Sequence, residues 1–152
     1  MRERRKGRWD YNGTNETDWS PMPKIDFAAL MRLARASAAV SAPCHCSKVS
    51  VAAWSALPIT LDLHRFEEIG VLFDDPYDEP TFAEYHPAGT RYESETAPIA
   101  PGFYPYNRCA VARCLDCDRH YLRYNEAGGY FTELRIRALR PELVVDTAAP
   151  EK

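Results

Sequence analysis

Five cysteines fall into two groups, and their spacing constrains this chain more than any other feature. The first group is Cys44-His45-Cys46. The second runs from Cys109 to the turn Cys114-Leu115-Asp116-Cys117. An odd number excludes complete pairing into internal disulfides. Two closely spaced pairs suit a metal better. Zinc takes four soft ligands in a tetrahedron, and a short turn supplies two thiolates from one backbone knuckle. The spacing predicts one structural Zn2+ held by Cys44, Cys46, Cys114 and Cys117. Cys109 is then left over as a buried apolar residue on the approach to the second knuckle. One alternative ligand set replaces a cysteine with Cys109, His45 or His120. Another reading treats the thiols as buried small hydrophobes or redox groups. Four available thiols favour a closed site, because a catalytic zinc keeps one position open and usually draws on His or carboxylate.

Length and composition set the frame for that site. With 152 residues and 45% hydrophobic residues, the chain has enough material for one domain with a real core. Twelve prolines against seven glycines predict many irregular connections. No run reaches the roughly 18 apolar residues of a membrane span. The stretch 25–42 carries Asp26, Arg32 and Arg35, which argues against a signal segment. A cytoplasmic location is expected, where thiols stay reduced and tend to bind metal or lie buried. The expected organisation is a flexible basic leader over 1–22, a single zinc-stabilised domain over 23–147 and a flexible tail over 148–152.

The fold class expected is α+β, with one N-terminal helix, a mainly antiparallel sheet and a C-terminal β-hairpin. The spacing of Phe27, Leu30, Met31, Ala34 and Ala38 predicts a helix over 26–40, with Asp26 as N-cap and Pro43 preventing continuation. Short β-like runs lie at 49–54, 59–63 and 69–73. Residues 74–107 should be largely irregular, with short strands at 81–85 and 91–93. A hairpin is expected from 120–124 and 130–139. A three-residue loop Glu126-Ala127-Gly128 would pair Asn125 with Gly129 and set Leu122 opposite Thr132. That register gathers Leu122, Tyr124, Leu134 and Ile136 on one face and leaves Arg119, Arg123, Arg135 and Arg137 on the other.

The C-x-x-C turn followed by a hairpin resembles the second knuckle of a zinc ribbon, over residues 109–139. The resemblance implies a zinc held by Cys114 and Cys117 plus a first knuckle elsewhere. Cys44-His45-Cys46 is the natural candidate, although one residue rather than two separates its sulfurs. The chain also resembles a small uncharacterised bacterial protein family, with Glu84-Tyr85-His86-Pro87 and Gly128-Gly129-Tyr130-Phe131 as its most distinctive words. That resemblance implies no activity.

Charge divides unevenly along the chain. From Asp62 to Glu95 there are ten acids and two bases, a net of −8. From Arg108 to Arg140 there are seven arginines, four acids and no lysine, a net of +3. The two regions can pair with each other or stay solvated. Alternatively, the acidic, tyrosine-bearing stretch can meet a basic protein through Asp74, Asp75, Asp78, Glu79, Tyr77 and Tyr85. The function expected is a non-enzymatic, zinc-binding protein-interaction module of inhibitor or immunity type. The alternative is a nucleic-acid-binding zinc ribbon using Arg119, Arg123, Arg135 and Arg137. Walker, dinucleotide-binding and H-E-x-x-H motifs are absent from the sequence.

Overall fold

A computed structural model describes residues 22–75, 77, 79–127 and 132–147. The expected leader up to residue 21, the tail 148–152, Asp78 and the turn 128–131 lie outside the described residues. One α-helix and five strands make up the described fold: α1 (Phe27–Ala38), β1 (Ser55–Ala56), β2 (Phe66–Val71), β3 (Ala110–Cys114), β4 (His120–Ala127) and β5 (Thr132–Ala138). The strands form one antiparallel sheet in the order β1-β5-β4-β3-β2. The class is therefore α+β.

Helix α1 begins where the sequence predicts. The Asp26 carboxylate accepts from the Ala29 N–H at 2.8 Å, which satisfies a backbone donor that has no partner inside the helix. Leu30 and Ala34 are buried, and the next buried position is Ser37 rather than Ala38. The Ser37 hydroxyl accepts from the His120 N–H at 2.9 Å, so the last helical turn is tied to the start of β4.

Both faces of the sheet are covered. On one face Leu30 and Ala34 of α1 pack with Val111, Leu122, Tyr124, Trp54, Tyr106 and Ile99. On the other face Ala112, Cys114, Tyr121 and Ile136 pack with Cys46, Val51, Leu61 and Phe66. This two-sided burial corrects the expected hairpin register. Leu122 lies opposite Arg137, Tyr124 opposite Arg135, and the strands first meet at Ala127 and Thr132. The expected pairing assumed a single apolar face. Here neighbouring residues of β4 bury in opposite directions, so apolar alternation does not choose between registers.

Arg137 shows what the observed register requires. It shares the Leu122 face and is 0% exposed. Its Nε donates to Ala52 O at 2.9 Å, and its Nη2 donates to Glu95 O and Ala97 O at 3.0 Å each. Its Nη1 donates to the Tyr106 hydroxyl, which also accepts from Trp54 Nε1 at 3.1 Å. One guanidinium thus collects carbonyls from two irregular segments that have no ladder of their own. The Ala52 carbonyl points to Arg137, which helps to explain why the run 49–54 is not a strand. That segment meets the edge of β5 through Ala138 N to Val51 O at 2.8 Å, and beyond β1 Leu57 N donates to Leu134 O at 3.0 Å. The run at 59–63 is a turn leading into a 3-10 helix at Leu63–Arg65, and no strand forms at 81–85 or 91–93.

Replacing Arg137 with alanine takes this donor from the Ala52 and Ala97 carbonyls and the buried Tyr106 hydroxyl and opens a cavity. The expected loss is roughly 3 kcal/mol or more. Arg135→Ala, at a partly exposed position, should cost about 1 kcal/mol or less. Urea unfolding midpoints check both, and equal midpoints for Arg137→Ala and the parent chain would contradict the assignment.

Candidate metal centre

The first knuckle follows α1. Cys44 is extended and opens a 3-10 turn over His45–Lys48. The Ser47 N–H and hydroxyl both donate to Cys44 O, at 3.0 and 2.9 Å, which closes the turn and brings two sulfurs to one side. The second knuckle is the end of β3. The Cys114 N–H donates to Arg119 O at 2.8 Å, and the Asp118 N–H donates back to Cys114 O at 2.9 Å. Asp118 turns the chain with a φ of 70°, in the left-handed region that aspartate tolerates. Leu115 N–H donates to Arg65 O at 2.8 Å, so the knuckle is also tied to the segment entering β2.

These two turns bring four sulfurs together. Cys44 Sγ lies 3.7 Å from Cys114 Sγ, and Cys46 Sγ lies 3.6 Å from Cys117 Sγ. All four lie within 4.8 Å of one another. A zinc–sulfur bond of about 2.3 Å places tetrahedral sulfurs about 3.8 Å apart, which the Cys44–Cys114 and Cys46–Cys117 edges match. A disulfide needs about 2.05 Å, and all four cysteines are free. Cys46 and Cys114 are buried, while Cys44 and Cys117 are half-buried.

Neighbouring donors point at the sulfurs. The Tyr121 hydroxyl donates to Cys46 Sγ at 3.2 Å. Arg119 donates to Cys117 Sγ from its backbone N–H and from Nη1, both at 3.5 Å. The same guanidinium donates to Ala42 O at 3.0 Å and to Val40 O at 3.2 Å. Arg119 thus bridges the second knuckle to the loop that carries the first. Four thiolates around a divalent cation leave two excess negative charges, and such donors offset them.

The other expected ligands lie elsewhere. His45 Nε2 donates to Thr60 O at 2.8 Å. Cys109 is 0% exposed and donates to Pro105 O at 3.2 Å, as expected of the spare thiol. His120 is buried, and its Nδ1 has no partner among the described residues. Burial and then the charge of Arg113 lower its pKa. Tyr121, which lies between Arg119 and Arg123 in the sequence, is 3% exposed. Its contact with Cys46 becomes readable only once the face of β4 toward the first knuckle is known.

The arginines do not form one exposed face. Arg137 is buried among carbonyls, and Arg119 is committed to the knuckles. Arg123 pairs with Glu68 at 3.0 Å, and Arg135 pairs with Glu133 at 2.8 Å. Opposite strand faces hold Arg123 and the pair Arg135 and Arg137, because the register differs in parity from the expected one. Two acids of the expected acidic stretch pair within the chain, Glu67 with Arg113 and Glu68 with Arg123.

The loop after β2 behaves differently. Asp74 pairs with Lys24 at 2.8 Å, yet its side chain stays 79% exposed. Asp75 accepts from the Tyr77 N–H at 2.9 Å, and the Tyr77 residue is 91% exposed. Asp74, Asp75 and Glu79 border a cleft of about 850 Å³ that Arg108 and Asp146 also line. Tyr85 is not part of this group, since it packs on Phe103 with ring centres 5.1 Å apart. In the turn 84–90, His86 lies between Glu84 Oε1 and Thr90 Oγ1, each at 2.7 Å.

Burial pushes the Cys46 and Cys114 thiols above their ordinary value of 9.0, while the Cys46 backbone lowers that of Cys44. Thiols that are protonated at neutral pH must release protons to bind metal. Metal affinity should rise by roughly tenfold or more per pH unit through neutrality, measured by competition with a chelator. The metal-free fold should respond in the opposite sense. Its raised thiols hold protons more tightly than the unfolded chain does. The stability they confer is therefore present below about pH 9 and is lost as the pH rises further. Thermal melts of chelator-treated protein across alkaline pH check this, and a melting point that climbs with pH would contradict it.

No family model, no curated protein and no solved structure matches this chain.

Proposed function

We propose that the chain is a non-enzymatic binding module closed by one structural Zn2+. The observation that carries this reading is the four-sulfur cluster, with every sulfur within 4.8 Å of the others. Four thiolates fill a tetrahedron, so no position remains for substrate or water. Soft sulfur ligands at tetrahedral spacing suit zinc, and the donors on Cys46 and Cys117 suit a site kept for stability. The zinc-ribbon likeness fits as well, because β3 leads into the second knuckle and β4 leaves it. The first knuckle then comes from outside the hairpin. Such a site belongs in a reducing compartment such as the cytoplasm, where thiols remain available to metal. Among the described residues no helix is long and apolar enough to cross a membrane.

The proposed partner is a basic protein, as for an inhibitor or immunity protein. The acidic loop with Asp74, Asp75, Tyr77 and Glu79 supports this choice. An exposed aromatic ring within a field of carboxylates suits both steering and anchoring. Cys114 pairs with Phe66 at one end of the β2–β3 ladder, and Ala110 pairs with Val71 at the other, beside this loop. Metal and recognition loop thus sit at opposite ends of one ladder. The nucleic-acid alternative has less support, because Arg119, Arg123, Arg135 and Arg137 donate within the chain.

Purified protein should contain one zinc per chain, and Cys114→Ser should lose it together with cooperative thermal unfolding. Iron in place of zinc, or a Cys114→Ser chain that melts like the parent, would refute the metal assignment. Basic proteins captured by the immobilised chain should elute as salt rises. Reversing Asp74, Asp75, Asp78 and Glu79 to lysine should abolish capture, and unchanged affinity of the reversed chain for the same protein would exclude this face.

A further inference from the structure

The sulfur cluster has a second chemistry that does not depend on metal. Two sulfur–sulfur contacts run between the knuckles, 3.7 Å for Cys44 to Cys114 and 3.6 Å for Cys46 to Cys117. Each of these pairs joins one half-buried sulfur, Cys44 or Cys117, to one buried sulfur, Cys114 or Cys46. An oxidant reaches the more accessible member first, and its partner is already in place to resolve the product. The fifth thiol cannot interfere, because Cys109 is fully buried on the approach to β3 and donates to Pro105 O.

We infer that the metal-free chain is a site of paired oxidation, closing two disulfides, Cys44–Cys114 and Cys46–Cys117, under peroxide. The chemistry balances for each bridge. One thiolate attacks a peroxide oxygen, which breaks the O–O bond and yields a sulfenic acid and hydroxide. The partner thiol then attacks the sulfenic sulfur and gives up its proton, which forms the S–S bond and expels water. Overall, two thiols are oxidised and one hydrogen peroxide is reduced to two waters. The bridges span 70 and 71 positions and join the segments that the metal would join. Links within a knuckle, Cys44–Cys46 and Cys114–Cys117, would leave those segments free to separate. The same four sulfurs can therefore staple the fold in either of two redox conditions. This inference does not require zinc to be the resident metal.

Trypsin provides a direct test, because each knuckle falls on its own peptide, Ala36–Lys48 and Cys114–Arg119. The full-length protein is stripped with a chelator, treated with hydrogen peroxide, alkylated and digested without reductant. Mass spectrometry should find the two peptides joined, and fragmentation should place the links at Cys44–Cys114 and Cys46–Cys117. Thiol titration in denaturant should find one free thiol, Cys109. The oxidised chain should also resist proteolysis roughly tenfold longer than the reduced metal-free chain, since long closed loops restrict the unfolded state. Separate peptides with internal links, the opposite cross-pairing, or Cys109 in a bridge would each overturn the inference. A chain that binds no zinc yet forms these bridges would refute the metal reading and leave this one standing.

Discussion

Four sulfur atoms meet at the point where the loop after α1, the end of β3 and the start of β4 converge. Their approach links positions 70 and 71 apart in sequence. Without a cation between them, ionised sulfurs at such distances repel, and protonated ones form only weak hydrogen bonds. A structural zinc contributes about 10–16 kcal/mol of apparent binding energy in small domains, comparable to the whole stability of a typical fold. The rest of the protein can be understood as the frame that holds the two knuckles in this relation. Arg119 shows the coupling, since one guanidinium touches the Cys117 sulfur and two carbonyls beyond the helix.

The sheet is the second part of that frame. Its central strands bury side chains on both faces, with α1 over one face and the first knuckle with Val51 and Leu61 over the other. The described residues hold one α-helix and many irregular segments, whose loop carbonyls need other partners. Arg137 meets part of this need from within the core, and Arg108 does so at its edge, donating to Pro80 O and Thr81 O at 3.0 and 3.1 Å. The arginine-rich end of the chain is thus largely internal mortar.

What was legible in the sequence follows the range of the interactions. Asp26 and the apolar stripe that follows it are local signals, and the helix begins as they predict. The C-x-x-C and C-x-C turns are also local, so the grouping of these four cysteines could be read although the knuckles lie far apart. The hairpin register could not. It depends on which faces other segments cover, and both faces of β4 are covered here. One error in parity moved Arg137 from an imagined surface into the core and hid the contact of Tyr121 with Cys46. The acidic stretch was legible only in part. Glu67 and Glu68 are spent on Arg113 and Arg123, whereas the loop around Tyr77 stays open to solvent.

The four-sulfur cluster lies at one end of the β2–β3 ladder and the exposed acidic loop at the other. The most direct test of the central claim is zinc-edge X-ray absorption of the purified protein. Four sulfur scatterers at about 2.3 Å are predicted, with no lighter atom in the first shell. A shell containing nitrogen or oxygen, or fewer than four sulfurs, would contradict the closed four-cysteine centre.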